Sequence, residues 1–492
     1  MAFSAVILLV PCLSTAQLSI DRMESWFQED AGLLSEEWDG AGSALAIGDF
    51  NSDGLGDLAI GIMDEDVVTT NDTGIVVISY GDWRGWGFRS SQWWWQGSPG
   101  VPGAGEIGDH FGAALAVGDF NCDGYDDLAI GVELEDVGNM SAAGAVNVLY
   151  GSPDGLTSTG AQIWHQDVAG VLGFAHTVEL FGSSLAAADF NNDGCDELAV
   201  GIMGDLRGAD DQVGAVQVFS GSLSGLVGAG SQLWDQDSQG VTGKAEDGDF
   251  FGRALAVGDI NGDLFPDLAI GVPGEDTVHV LFGSSSGLSG IGSVDLHGWP
   301  PGSRWGLTLA VGDVNGDGFD DLVAGGPMAP DTGGGGNGDP IGLTTRFWGR
   351  SDFSDNSNSS VSTQRGDYRY GSALAMGDFD DDGRKSTVTT DQEWDSSGSV
   401  GVERSGWDGF PDWIHEWVFG PEPGDYFGYA LATGDLDGDG VDDLAIGIPG
   451  KQIGGAPASG MVQVLFGRRP DEPLFNDGFE VGDTRAWSST AR

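Results

Sequence analysis

Short apolar runs bounded by glycine recur along the chain in pairs, and a stretch of acidic and amide residues lies between the two runs of each pair. Residues 44–48 (ALAIG) and 58–61 (LAIG) flank the polar stretch 49–57, and residues 113–118 and 128–132 flank 119–127 in the same way. Apolar runs this short, with turn residues at both ends, read as buried strands rather than helices, so each polar stretch joins a β-hairpin. Seven copies begin at Asp49, Asp119, Asp189, Asp259, Asp313, Asp378 and Asp435; the first three steps are 70 residues and the later ones 54, 65 and 57. A period of that length is the signature of a repeat architecture.

The second copy shows a whole repeat: strands over 113–118, 128–132, 145–150 and 162–166, a polar connection over 133–142 and a turn over 151–156. Four short strands taken seven times predict an all-β fold, a seven-bladed β-propeller of four-stranded blades spanning residues 17–467. Residues 24–30 (ESWFQED) have no polar loop before them, yet they match 162–167 and 232–237, which end later repeats. Such an orphan last strand predicts ring closure: it completes the final blade, residues 428–467, and covers a sheet edge that would otherwise stay open.

Oxygen-bearing side chains fall at positions 1, 3, 5 and 9 of the loops. They are Asp49, Asn51, Asp53 and Asp57 in the first; Asp119, Asn121, Asp123 and Asp127 in the second; Asp189, Asn191, Asp193 and Glu197 in the third; Asp259, Asn261, Asp263 and Asp267 in the fourth. Asp313, Asn315, Asp317 and Asp321 follow in the fifth, Asp378, Asp380 and Asp382 in the sixth, and Asp435, Asp437, Asp439 and Asp443 in the seventh. Alternate oxygens of this kind wrap a hard cation, and glycine at position 6 allows the sharp turn. One such loop alone could equally be a turn capped by its own Asp and Asn side chains. Seven copies favour the metal reading, because carboxylates within about 4–6 Å repel by about 1 kcal/mol per pair even in water. Up to seven Ca2+ ions are therefore expected. Two loops depart from the pattern: Leu264 replaces the glycine of the fourth, and the sixth ends in Ser386 instead of an acid. Glu197 in the third is a longer ligand that still supplies oxygen.

The order aromatic-Gly, strand, Asp-x-Asn-x-Asp-Gly-x-x-Asp, strand, Gly-x-Pro resembles the FG-GAP repeat of the integrin α-subunit propeller and of many secreted bacterial proteins. Its first half stands at Phe111-Gly112, Phe181-Gly182, Phe251-Gly252 and Phe427-Gly428, with Trp305-Gly306 and Tyr370-Gly371 as variants; its second half stands at Gly271-Val272-Pro273, Gly325-Gly326-Pro327 and Gly447-Ile448-Pro449. The resemblance covers roughly residues 20–467 and implies calcium loops on one rim, with an extracellular protein or glycan ligand meeting the opposite face. Segments 133–142, 171–179 and 204–212 would then be the contact loops of a secreted binding or adhesion module. Two other readings stay open: a hydrolase or lyase with its site in the central channel, since fold alone does not decide function, and a passive surface or matrix component.

Charge narrows the partners. The chain carries 19 basic and 77 acidic residues, a formal charge of −58; seven divalent ions would leave about −44, which argues against nucleic acid. Three cysteines make no disulfide framework: Cys12 lies in a presumed leader, and Cys122 and Cys195 read as small turn residues in loops too far apart to bridge. Residues 1–16 suit a signal peptide, with an apolar run over 5–10 and small residues Ser14 and Ala16 before Gln17; no segment is long enough to span a bilayer. Residues 468–492 read as linker and tail, 351–362 as a surface insertion, and the propeller as monomeric. Arg365-Gly366-Asp367, the tripeptide that integrins recognise, aligns with the turn 247–249. The triplet Trp93, Trp94 and Trp95 sits in strand-four register, so interblade packing competes with a glycan platform. Gly283-Ser284-Ser285-Ser286-Gly287 matches a nucleophile elbow in form, but it occupies the strand-to-strand turn of its repeat and no βα unit surrounds it. No catalytic residue is assigned.

Overall fold

The computed structural model describes residues 18–28, 39–67, 72–81, 91–205, 212–298, 300–330, 341–353, 369–391, 398–405, 411–419, 422–453 and 456–468. The leader, the tail beyond 468, the tripeptide at 365–367 and most of the 351–362 insertion lie outside them. Blade 2 shows how a repeat becomes a sheet: Phe111–Gly118, Asp127–Val132, Ala145–Tyr150 and Thr157–Trp164 pair in that order, each antiparallel to the last. The second strand is buried along its whole length, as expected of a strand covered on both faces. The fourth strand begins five residues earlier than its sequence suggests, because the tight turn at 151–156 brings Thr157 directly opposite Tyr150.

Seven such sheets form, six of four strands and, among the described residues, one of three, namely Thr308–Gly312, Asp321–Gly325 and Thr344–Phe347 of blade 5. Blade 7 closes as expected. Leu18–Trp26 runs antiparallel to Met461–Gly467, with Leu18 opposite Gly467 and Trp26 opposite Val462. First strands of successive blades touch one another around the ring, including those of blades 7 and 1.

The core lies between blades. Trp164, Phe181, Phe219, Leu198 and Val200 fill the 2–3 interface, and Trp26, Val462, Leu58 and Ile60 fill the 7–1 interface. The aromatic-Gly pair explains the close approach: a Cβ on Gly131 would overlap the carbonyl oxygen of Gly182 in the next blade, and Phe181 beside it is buried. The tryptophan triplet divides by strand alternation: Trp94 packs into the 1–2 core, while Trp93 is 46% exposed with its ring 5.7 Å from Trp95.

Candidate metal centre

Each polar loop is clamped at both ends. Position 2 is an apolar side chain (Phe50, Phe120, Phe190, Ile260, Val314, Phe379, Leu436), wholly buried in every copy. Position 9 opens the second strand. In the second loop Asp119 Oδ1 accepts from the N–H of Asp123 at 3.0 Å and Oδ2 from that of Gly124 at 2.9 Å. Asn121 Oδ1 also accepts from Asp123 N–H at 3.0 Å, and Asp123 Oδ1 from Tyr125 N–H at 3.1 Å. Asp127 holds the base: its Oδ2 accepts from Phe120 N–H and its Oδ1 from Gly151 N–H, the residue after the third strand. The backbone thus fixes four oxygen-bearing side chains in one short loop.

The same bonds recur. Asp49, Asn51, Asp53 and Asp57 make them in the first loop. Asp259, Asn261, Asp263 and Asp267 do so in the fourth, Asp313, Asn315, Asp317 and Asp321 in the fifth, and Asp435, Asp437, Asp439 and Asp443 in the seventh. Leu264 does not spoil the fourth loop: it adopts the left-handed backbone of the glycine it replaces, φ 73°, and still donates to Asp259 Oδ2. In the third loop Asp189 and Asp193 keep their places, but the longer Glu197 accepts from the Asn191 amide at 2.7 Å.

The sixth loop is different. Asp378, Asp380 and Asp382 bring carboxylate oxygens within 4.8 Å of one another, as do Asp435, Asp437 and Asp443 in the seventh. Yet Arg384 at position 7 ion-pairs with Asp382, and Lys385 at position 8 reaches Asp442 at 2.7 Å. One cation of the chain itself thus meets the sixth loop's negative charge, and a second meets the position-8 acid of the seventh.

The donor set fits a divalent cation. Burial first, and then the charges of Asp119 and Asp123, push the Asp127 carboxyl up to about 8; burial also lifts Asp57, Asp321 and Asp443 to about 8. An all-oxygen set of this kind suits a hard ion such as Ca2+ or Mg2+, whose charge would stabilise the ionised carboxylates.

Neighbouring loops are also tied to each other through position 8, which sequence reading passed over. Asp126 Oδ2 accepts from the N–H of Asp49 at 2.7 Å, Asp196 from Asp119, Asp320 from Asp259 and Asp442 from Asp378. Carbonyls at position 1 receive the N–H of position 8 in return, and Gly56 N–H to Asp435 O closes the ring from blade 7 to blade 1. The spacing of these acids, always next to position 9, was the available signal.

The same contact corrects the reading of the cysteines. Cys122 and Cys195 form a disulfide across 4.8 Å between Cα atoms. They stand at position 4 of one loop and position 7 of the next, positions that also face each other at the 7–1, 4–5 and 5–6 seams: a Cβ on Gly438 would meet Leu55, one on Gly262 would meet Phe319, and one on Gly316 would meet Arg384. Loops of adjacent blades are therefore within bridging distance.

Known proteins share this geometry's sequence pattern. The FG-GAP repeat family matches residues 41–79, 111–149, 181–219, 251–294, 305–339 and 427–465, six of the seven repeats. The chain is an FG-GAP repeat protein. The repeat left out is the sixth, which carries Arg384, Lys385 and Ser386. Phosphatidylinositol-glycan-specific phospholipase D of Bos taurus is 35% identical over 182 residues, 35% of this chain and 21% of that protein. Integrin alpha-5 of Xenopus laevis is 30% identical over 250 residues, 49% of this chain and 21% of that protein, and integrin alpha-7 of Mus musculus is 36% identical over 150 residues, 30% and 12%. The FG-GAP chain spans about a fifth or less of these relatives. No helix among its described residues is long and apolar enough to cross a membrane.

Proposed function

We propose that this FG-GAP propeller is an extracellular binding module whose loops hold Ca2+ and stiffen one rim, leaving the connections on the opposite face to contact a protein or glycan. The observation that carries the reading is the disulfide between two adjacent loops, Cys122–Cys195, set beside backbone-fixed carboxylates in the same loops. A bridge of this kind persists in oxidising surroundings, where calcium is millimolar and weakly binding loops, with dissociation constants of about 10⁻⁴ to 10⁻³ M, fill.

Candidate contact segments 133–142 and 171–179 lie side by side: Val178 N–H donates to Ser141 O, and Leu180 N–H to Ala142 O. Phe174 and Leu172 are exposed there, at 76% and 49%. Only the ends of the third segment, 204–212, fall among the described residues. For the lytic alternative, the seven first strands, which form the inner ring, bring no titratable side chain to it.

The test is a panel of extracellular matrix proteins and glycans probed with the full chain in millimolar calcium and in chelator. Calcium-dependent capture of a defined ligand, weakened by Phe174→Ser, is expected. Shortening of a polymer in the panel without retention would instead favour the lytic alternative.

A further inference from the structure

One register position in the third strand is aromatic in five of the blades and serine in blade 3. Tyr80, Tyr150, Phe282, Trp348 and Phe466 stand where blade 3 has Ser220; in blade 6 it is Arg404, whose side chain lies outside the described residues. The two tyrosines show what the position does. Each phenol reaches toward the next blade, and its hydroxyl donates to a glutamine in the fourth strand of the tyrosine's own blade (Tyr80 to Gln92, Tyr150 to Gln162, both 2.7 Å). Each hydroxyl also accepts the N–H of a leucine in the following blade's turn, Leu156 at 2.9 Å and Leu226 at 3.3 Å. The ring and its hydroxyl fill the space under that turn so closely that a Cβ on Gly155 or Gly225 would collide with the phenol oxygen.

Blade 3 keeps every partner of that phenol and lacks the phenol. A cavity of 360 Å³ opens between blades 3 and 4, lined by Phe190, Val218, Ser220, Gln232 and Leu288. Gln232 matches Gln92 and Gln162, and Leu288 matches Leu156 and Leu226. At Gly287, the counterpart of Gly155 and Gly225, the nearest atoms to a Cβ would be those of Gln232, from 3.7 Å. Asp193 and Glu197 also line the space; Glu197 is 3% exposed and its Oε2 has no hydrogen-bond partner.

We propose that this cavity binds a small neutral phenol, which takes the place of the missing tyrosine side chain. The ring would lie against Phe190, Val218 and Leu288, and the hydroxyl would meet an amide acceptor and a backbone donor already placed for it. A cavity of this size is in the range of small-ligand sites, and it sets one apolar wall of Phe190, Val218 and Leu288 against a polar side that carries Ser220 and Gln232, as an amphipathic phenol requires.

The test uses p-cresol, the tyrosine side chain as a free molecule, titrated into the full chain in millimolar calcium and followed by calorimetry and ligand-observed NMR. Saturable binding at one site per chain is expected, with toluene about thirtyfold weaker for want of the hydroxyl's two hydrogen bonds. Ser220→Tyr should fill the site and weaken p-cresol by more than about tenfold, while Ser220→Ala, which leaves the space open, should bind as the parent does. Capped tyrosine amide distinguishes the source: binding as tight as p-cresol would assign the site to a tyrosyl side chain of a partner, and exclusion to a free phenol. No saturable binding, equal binding of toluene, or unchanged binding in a folded Ser220→Tyr variant would overturn the proposal.

Discussion

The 2–3 and 5–6 seams join equivalent blades by different means. At the 2–3 seam the loops are tied by the Cys122–Cys195 disulfide and by Asp119 N–H on Asp196, and below them sits an apolar core of Trp164, Phe181 and Phe219. At the 5–6 seam Lys385 replaces the position-8 acid, though its N–H still bonds Asp313 O. Beneath it the apolar cluster shrinks to Ala310, Val314, Val323 and Met376 with a few partly buried neighbours. Buried polar groups take the rest of that interface: Arg346 donates to Thr387 at 2.9 Å and lies 3.8 Å from Glu403. The propeller topology fixes where blades meet, and the residues decide whether apolar packing, covalent linkage or ion pairing holds them.

Removing divalent cations should give the largest effect, because it acts on all the complete loops at once. At a cation concentration ten times the dissociation constant, each occupied loop contributes about 1.4 kcal/mol, so chelator should lower the melting temperature steeply. The loss should grow with pH. The position-9 carboxyls, raised to about 8 in the folded chain from 3.8, stabilise the calcium-free protein fully only below about pH 4, and that contribution is lost as pH rises through about 8. Urea midpoints at pH 5 and pH 8, with and without calcium, measure this; a calcium-free protein more stable at pH 8 would contradict it.

Next comes the polar seam. Arg346→Ala removes a buried cation 3.8 Å from Glu403 and should cost about 3–5 kcal/mol, whereas Arg346→Met with Glu403→Met should be near neutral or stabilising; denaturant titration separates the two. At the opposite seam Cys122→Ser with Cys195→Ser should cost about 2–4 kcal/mol, with the fold retained by circular dichroism because the apolar core remains. The smallest change should come from giving the sixth loop the second loop's acids. Lys385→Asp with Ser386→Asp should add one bound calcium per chain and about 1 kcal/mol in millimolar calcium.

Much of this was legible in the sequence, and for physical reasons. Loop positions 1, 3, 5 and 9, the strand runs and the orphan strand at Trp26 are local patterns, so periodicity exposes them together with the ring they imply. The disulfide was not, since it depends on how far apart adjacent loops sit, a distance set by the Gly131–Gly182 approach in another layer. The position-8 acids were visible as residues, but their role lies across the seam. The gap at Ser220 appears only when Tyr80 and Tyr150 are seen reaching into the neighbouring blade.

Calcium bound per chain, counted by equilibrium dialysis and elemental analysis in millimolar calcium, tests the central claim most directly. Six ions are predicted, one for each loop with an acid at position 9, falling by one in Asp127→Ala and unchanged in Asp382→Ala. A chain that holds no calcium, and melts at the same temperature in chelator, would contradict the account.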